Sequence, residues 1–182
     1  MVRSMMQRVL SLFVMLFVTQ VALAAANVPR DPYKYFFEES FGDYTEELAI
    51  AREEGKKAIL LFFEMDECPY CHYMKNTVLN QPEVQVYYRK NFKIFAVDIE
   101  GDVEITDFDG NTMKMKDFAF KKNRVRATPV FAFYDLEGKR IHRHIGKTAD
   151  VEEFMILGQY IAEGAYKQER FTKYKRQLKD KQ

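Results

Sequence analysis

Both cysteines of the chain fall in one motif, Cys68-Pro69-Tyr70-Cys71. Two thiols spaced i, i+3 share a face when the segment is helical. Such a pair can exchange with disulfides, one sulfur attacking and the other resolving the mixed disulfide that forms. It can also bind Cu(I) or zinc as two soft thiolates. A third use stays open on the string alone, because His72 completes C-x-x-C-H, the haem-attachment pattern. Two cysteines are too few for a disulfide scaffold.

The neighbours of the pair favour exchange. Pro69 suits the first turn of a helix, where its missing N–H would be unpaired anyway. Cys68 then takes the N-cap, where free N–H groups and the helix dipole favour a thiolate below the free value of about 8.5. Cys68 is the expected exposed nucleophile, and Cys71, one turn in, the shielded resolving thiol. Against haem, the motif follows a buried strand and opens a helix, whereas a cytochrome wants a small helical domain with a distal Met or His.

The elements that must position the pair can be read from the pattern. Residues 58–63 form a continuous apolar run, the mark of a central strand covered on both faces. It ends just before the motif. A helix is expected from an Asp43 cap, with Glu46 completing a capping box and Gly55 ending it. The cysteine helix runs through Tyr73, Met74 and Val78 towards Asn80, and Pro82 opens a short helix through Tyr88. Residues 93–99 read as a second buried strand. Residues 103–106 and 112–115 flank Asp109-Gly110 as a hairpin. Residues 117–123 are helical, 130–134 and 139–144 are strands about a Glu137-Gly138 turn, and 150–163 is an amphipathic helix burying Phe154, Leu157 and Ile161. This order predicts an α/β fold with a central mixed β-sheet flanked by helices and a β-hairpin insert.

Residues 1–24 read as a cleavable signal peptide. Arg3 and Arg8 precede the apolar run 9–18, and Val21-Ala22-Leu23-Ala24 ends in an A-x-A site, with Ala26 as the second cleavage point. An uncleaved anchor is the alternative, although a spanning helix needs about 20 apolar residues and Thr19-Gln20 interrupt this run. Cleavage leaves 158 residues with a net charge of -1, which suits one soluble domain and no nucleic-acid partner. The expected division is an N-terminal arm over 25–42, a domain over 43–165 and a basic, helical tail over 166–182. From Lys167 onward the tail holds seven Lys or Arg against two acids. It could meet an acidic partner or an anionic surface, but reads first as a solvated helix. Tyr33, Tyr35, Phe36 and Phe37 are expected to pack the arm on the sheet. His142 and His144 share one strand face and read as surface residues of an edge strand rather than metal ligands.

On the residues Ile59-Leu60-Leu61-Phe62-Phe63, Cys68-Pro69-Tyr70-Cys71 and Val125-Arg126-Ala127-Thr128-Pro129-Val130, with Gly138 and Gly146, the chain resembles the thioredoxin superfamily over roughly residues 40–165. The resemblance implies a thioredoxin-like fold and thiol-disulfide oxidoreductase activity with catalytic Cys68 and Cys71 and no cofactor or metal. It also implies a cis-proline loop at Thr128-Pro129, which with Pro69 and Tyr70 would bind substrate. The chain departs from the pattern where Glu67 replaces a common Trp and Phe62 a buried acid. Glu64 is a candidate substitute for that acid, although it reads as an exposed strand end. Pro69-Tyr70 is similar to glutaredoxins, without implying glutathione dependence. The hairpin and Val125–Pro129 look like the periplasmic thioredoxins of bacterial sulfur-oxidation (Sox) clusters. That likeness implies reduction of exported protein disulfides with electrons from a membrane donor, in the periplasm. The alternative kept beside it is a periplasmic copper or zinc carrier.

Overall fold

The computed structural model describes residues 28–180; the expected signal peptide lies outside them. In chain order the elements are α1 (Pro32–Tyr35), α2 (Tyr44–Glu53), β1 (Ala58–Glu64), α3 (Pro69–Tyr73, continued by a π-helical turn at Met74–Val78), α4 (Pro82–Asn91), β2 (Phe92–Asp98), β3 (Glu104–Thr106), β4 (Thr112–Lys114), α5 (Met115–Asp117, continued as a π turn at Phe118–Lys122), β5 (Val130–Tyr134), β6 (Arg140–Ile145), α6 (Val151–Ala162) and α7 (Phe171–Lys179).

Four strands make a mixed sheet in the order β2-β1-β5-β6. β1 runs parallel to β2 and antiparallel to β5, and β5 is antiparallel to β6. The apolar run is continuous because β1 is central and buried at every residue. Alternate side chains then serve two separate cores. Leu60 and Phe62 join Ile94, Phe131 and Phe133 beneath α3, α4, α6 and α7. Ile59, Leu61 and Phe63 join Phe95, Val97 and Ala132 beneath α2 and α5.

Asp43 caps α2 by accepting the N–H groups of Thr45 and Glu46 at 2.8 and 3.2 Å. Its hydrogen bond with Thr45 chiefly holds its carboxyl below the ordinary range. Gly55 follows the helix with φ at +66°, a conformation that favours glycine. The hairpin insert is a two-stranded sheet of its own. Asp107 closes its tip by accepting N–H groups from Asp109 and Asn111 at 2.9 Å each, with Gly110 at φ +82°.

Two parts of the chain depart from the sequence reading. The arm carries the short helix α1, which Asp31 caps and whose first turn Pro32 occupies. It buries Phe36 and Phe37 in the core, while Tyr33 and Tyr35 stay exposed. The basic tail is not simply solvated: α7 buries Phe171, which lies 6.1 Å from the His142 ring and 6.0 Å from that of His144. These histidines are correspondingly half-buried, not surface residues, because a helix covers their face of the edge strand.

Candidate functional site

β1 delivers the chain at Glu64 to a four-residue loop, and α3 begins immediately after Cys68. Cys68 is the N-cap, with φ -121° and ψ 97°, and its Sγ accepts the Cys71 N–H at 3.0 Å. The same N–H that favours a thiolate in the reduced form is therefore aimed at this sulfur. Cys68 and Cys71 are joined in a disulfide with their Cα atoms 5.2 Å apart. In this oxidised form Cys68 is only 3% exposed and Cys71 fully buried. The exposed nucleophile expected from the sequence is thus covered here, and the accessible residues of the motif are Pro69 and Tyr70. Tyr70 is 57% exposed.

Thr128 and Pro129, sixty residues on, belong to the same end of the sheet. Phe63 pairs with Val130, so β5 begins where β1 ends. The Thr128-Pro129 bond is cis. Pro129 is buried, and its carbonyl accepts the Gly146 N–H at 2.9 Å. The loop after Gly146 holds α3 in turn. Tyr73 donates its hydroxyl to the Ala149 carbonyl at 2.9 Å, and the buried Thr148 hydroxyl meets the Met74 sulfur at 3.7 Å. A continuous set of contacts therefore ties the cysteine helix to the proline loop.

His72 points its Nε2 at the Asp66 carbonyl, 2.8 Å away, and so pins the loop before Cys68. Phe62 is buried, 5.6 Å from the Phe37 ring and 4.9 Å from that of Phe131, in wholly apolar surroundings. Glu64 is not the exposed strand end that the sequence suggested. Its side chain is 10% exposed and pairs with Lys75 Nζ at 2.5 Å, and Tyr33 donates its hydroxyl to the other carboxylate oxygen at 3.0 Å. Burial opposes the Lys75 charge, but the hydrogen bonds that its ammonium donates to Glu64 and Tyr33 outweigh it and hold the ammonium above its ordinary range. Although Tyr33 is largely exposed, partial burial of the residue raises its phenol. The sequence carried one sign of this network, since Lys75 lies four residues after Cys71 on the same helical face.

The family model for the thioredoxin-like domain matches residues 44–162. The chain belongs to the thioredoxin-like domain family. A thioredoxin-fold protein from Helicobacter pylori is 24% identical over 69% of this chain and 82% of its own, with a TM-score of 0.55. A thioredoxin from Thermus thermophilus is 24% identical over 65% of this chain and 83% of its own, with a TM-score of 0.51. A DsbH oxidoreductase is 18% identical over 71% and 88%, with a TM-score of 0.52. At these identities the likeness is one of fold. No curated protein sequence matches the chain.

A thioredoxin-like domain that carries a linked cysteine pair at the mouth of the helix after its central strand is a thiol-disulfide oxidoreductase. Among the described residues no group of three His, Cys, Asp or Glu is placed to hold a metal, and no helix is long and apolar enough to cross a membrane.

Proposed function

We propose that this thioredoxin-like protein reduces disulfides of exported proteins, with Cys68 as nucleophile and Cys71 as resolving thiol. The observation that carries the reading is the capping contact, in which the Cys71 N–H meets the Cys68 sulfur at 3.0 Å. A donor so placed stabilises negative charge on that sulfur when the pair is reduced.

The reaction begins with the dithiol. The Cys68 thiolate attacks a substrate disulfide; the new S–S bond joins Cys68 to one substrate sulfur, and the other leaves as a thiolate and takes up a proton. Cys71 then loses its proton and attacks the Cys68 sulfur. The second substrate sulfur departs, and the Cys68–Cys71 disulfide forms. Two electrons pass from the dithiol to the substrate. Glu64, four residues before Cys68 and buried with Lys75, is the carboxylate proposed to take the Cys71 proton through water.

Substrate is assigned to Pro69, Tyr70, Thr128 and Pro129. Tyr70 offers an exposed ring, and the Thr128 backbone has no hydrogen bond among the described residues, so an extended segment can pair with it. Residues 1–24 have the composition of a leader, which supports export to the periplasm and re-reduction by a membrane dithiol donor. The hairpin and Val125–Pro129 look like those of Sox-cluster thioredoxins, and that likeness supports the reading.

Insulin reduction by dithiothreitol tests this reading. The wild-type protein should accelerate it, Cys68→Ser should not, and Cys71→Ser should accumulate mixed disulfides. The copper or zinc carrier predicts instead stoichiometric metal in the reduced protein and no acceleration.

A further inference from the structure

We infer that the site selects disulfides flanked by acidic residues and that Arg126 and Lys147 are the selecting cations; this rests on the reading of the site as a protein disulfide reductase. The sheet register divides the charge around the dithiol. β1 and β2 end at this pole, where β5 begins and β6 ends, since Phe63 pairs with Val130 and Val130 with Ile145. Over β1 and β2 the exposed charges without an ion pair are acidic, Asp66, Glu67, Asp98 and Glu100, while Lys114 and Lys116 beside them are paired with Asp102. Over β5 and β6 they are basic: Arg124, Arg126 and Lys147.

Arg126 and Lys147 approach the proline loop from opposite faces of the sheet. The Arg126 guanidinium lies 4.9 Å from the ring of Phe120, which extends from the α5 turn whose Phe118 and Ala119 enter the α2-side core. The Lys147 ammonium lies 4.5 Å from the ring of Tyr73, which packs on the other core. Lys147 follows Gly146, the residue bonded to the Pro129 carbonyl.

Neither cation forms an ion pair among the described residues. The nearby acids are engaged elsewhere: Asp150 caps α6 through the Glu153 N–H at 2.8 Å, and Glu153 binds Lys175 at 2.5 Å. The cations are thus positioned by aromatic rings while their charge stays available. At the same pole of the sheet Tyr70 and Ile145 are 57% and 63% exposed. Exposed apolar side chains and two unpaired cations at one pole fit an extended polypeptide that carries an apolar residue and Asp or Glu near its cysteine. Asp66 and Glu67 would repel an acid on the opposite side, so the surface also sets the direction in which the segment lies.

The test uses two disulfide-bonded peptides that differ only in carrying Asp or Lys at the flanking positions, with dithiothreitol as reductant. At low salt kcat/KM should favour the acidic peptide about five-fold, the scale of two exposed charge pairs. The preference should shrink towards one in roughly 1 M salt, where the Debye length falls to about 3 Å. R126E/K147E should invert it, and the milder R126Q/K147Q should abolish it. Equal rates for the two peptides, or a preference indifferent to these variants, overturns the inference and leaves disulfide reduction standing. Failure to reduce either peptide overturns the reading of the site itself.

Discussion

Lys75 forms a 2.5 Å ion pair with Glu64 one helical turn beyond Cys71, and so joins the end of the central strand to the helix that carries the dithiol. Glu64→Gln removes the anion that Lys75 and Tyr33 share. It should cost about 1–3 kcal/mol, below the range for fully buried pairs because both partners retain some contact with water. Urea denaturation measures this. With the folded Lys75 above its ordinary value, its contribution is complete below about pH 10.4 and is lost as pH rises through the folded value. The wild type should therefore lose stability in that alkaline range, and Glu64→Gln should lose this dependence.

The same substitution separates two steps of the reaction. If Glu64 takes the Cys71 proton, mixed-disulfide formation should proceed at the wild-type rate, whereas its resolution should slow by about a hundred-fold. Stopped-flow with acid quench distinguishes the steps. Equal slowing of both would assign Glu64 a structural part only.

A histidine pair under α7 makes stability depend on acid. Burial, followed by the neighbouring His144, pushes His142 down to about 4, and burial also lowers His144 despite the nearby Glu153. The unfolded chain binds protons first, so stability is full above about pH 6.5 and falls as pH drops towards the folded values. The loss should reach roughly 1–3 kcal/mol, after discounting for the part of each ring that water reaches. Thermal melting between pH 7 and 4 checks it; a flat profile would contradict the burial of the pair.

Phe171→Ala tests what covers that pair. Its ring packs on His142, His144 and Tyr160, the last at 5.5 Å. Truncation at this peripheral site should cost roughly 2–4 kcal/mol. It should also move the His142 titration back towards about 6.5. NMR titration of the ring protons reports it, and an unchanged curve would mean that α7 does not control the site.

Gly158→Ala should destabilise although Ala is the better helix former. A Cβ there would lie 2.9 Å from the Tyr88 ring and 3.0 Å from that of Tyr87. Tyr88 cannot readily yield, because it stacks on Phe154 at 4.3 Å and donates its hydroxyl to the Phe154 carbonyl at 2.5 Å. Overpacking of about 1–3 kcal/mol should exceed the propensity gain of about 1 kcal/mol. A higher melting temperature would refute this.

The sheet was legible because its signals are local. The unbroken apolar run of β1, Pro69 after Cys68 and the Asp109-Gly110 turn each dictate a conformation on their own residues. The proline loop could be placed only through resemblance, since no local rule says that Pro129 meets the end of β1. Glu64 was misread because its burial depends on Tyr33 and Lys75, which approach from the arm and from α3. His142 and His144 were misread for the same reason, their cover arriving from a tail whose charge density masked its one apolar stripe, Phe171, Tyr174 and Leu178. The π turns after α3 and α5 carry no composition that marks them.

On the proposed mechanism the cysteine pair passes two electrons to a disulfide through Cys68. The most direct measurement mixes the reduced protein with a disulfide peptide in a single turnover and follows peptide thiols alongside the mass of the protein. Two peptide thiols should be released for each Cys68–Cys71 disulfide formed, and none when Cys68 is serine. Release of no thiols by the wild type, or release at the wild-type rate by Cys68→Ser, would contradict it.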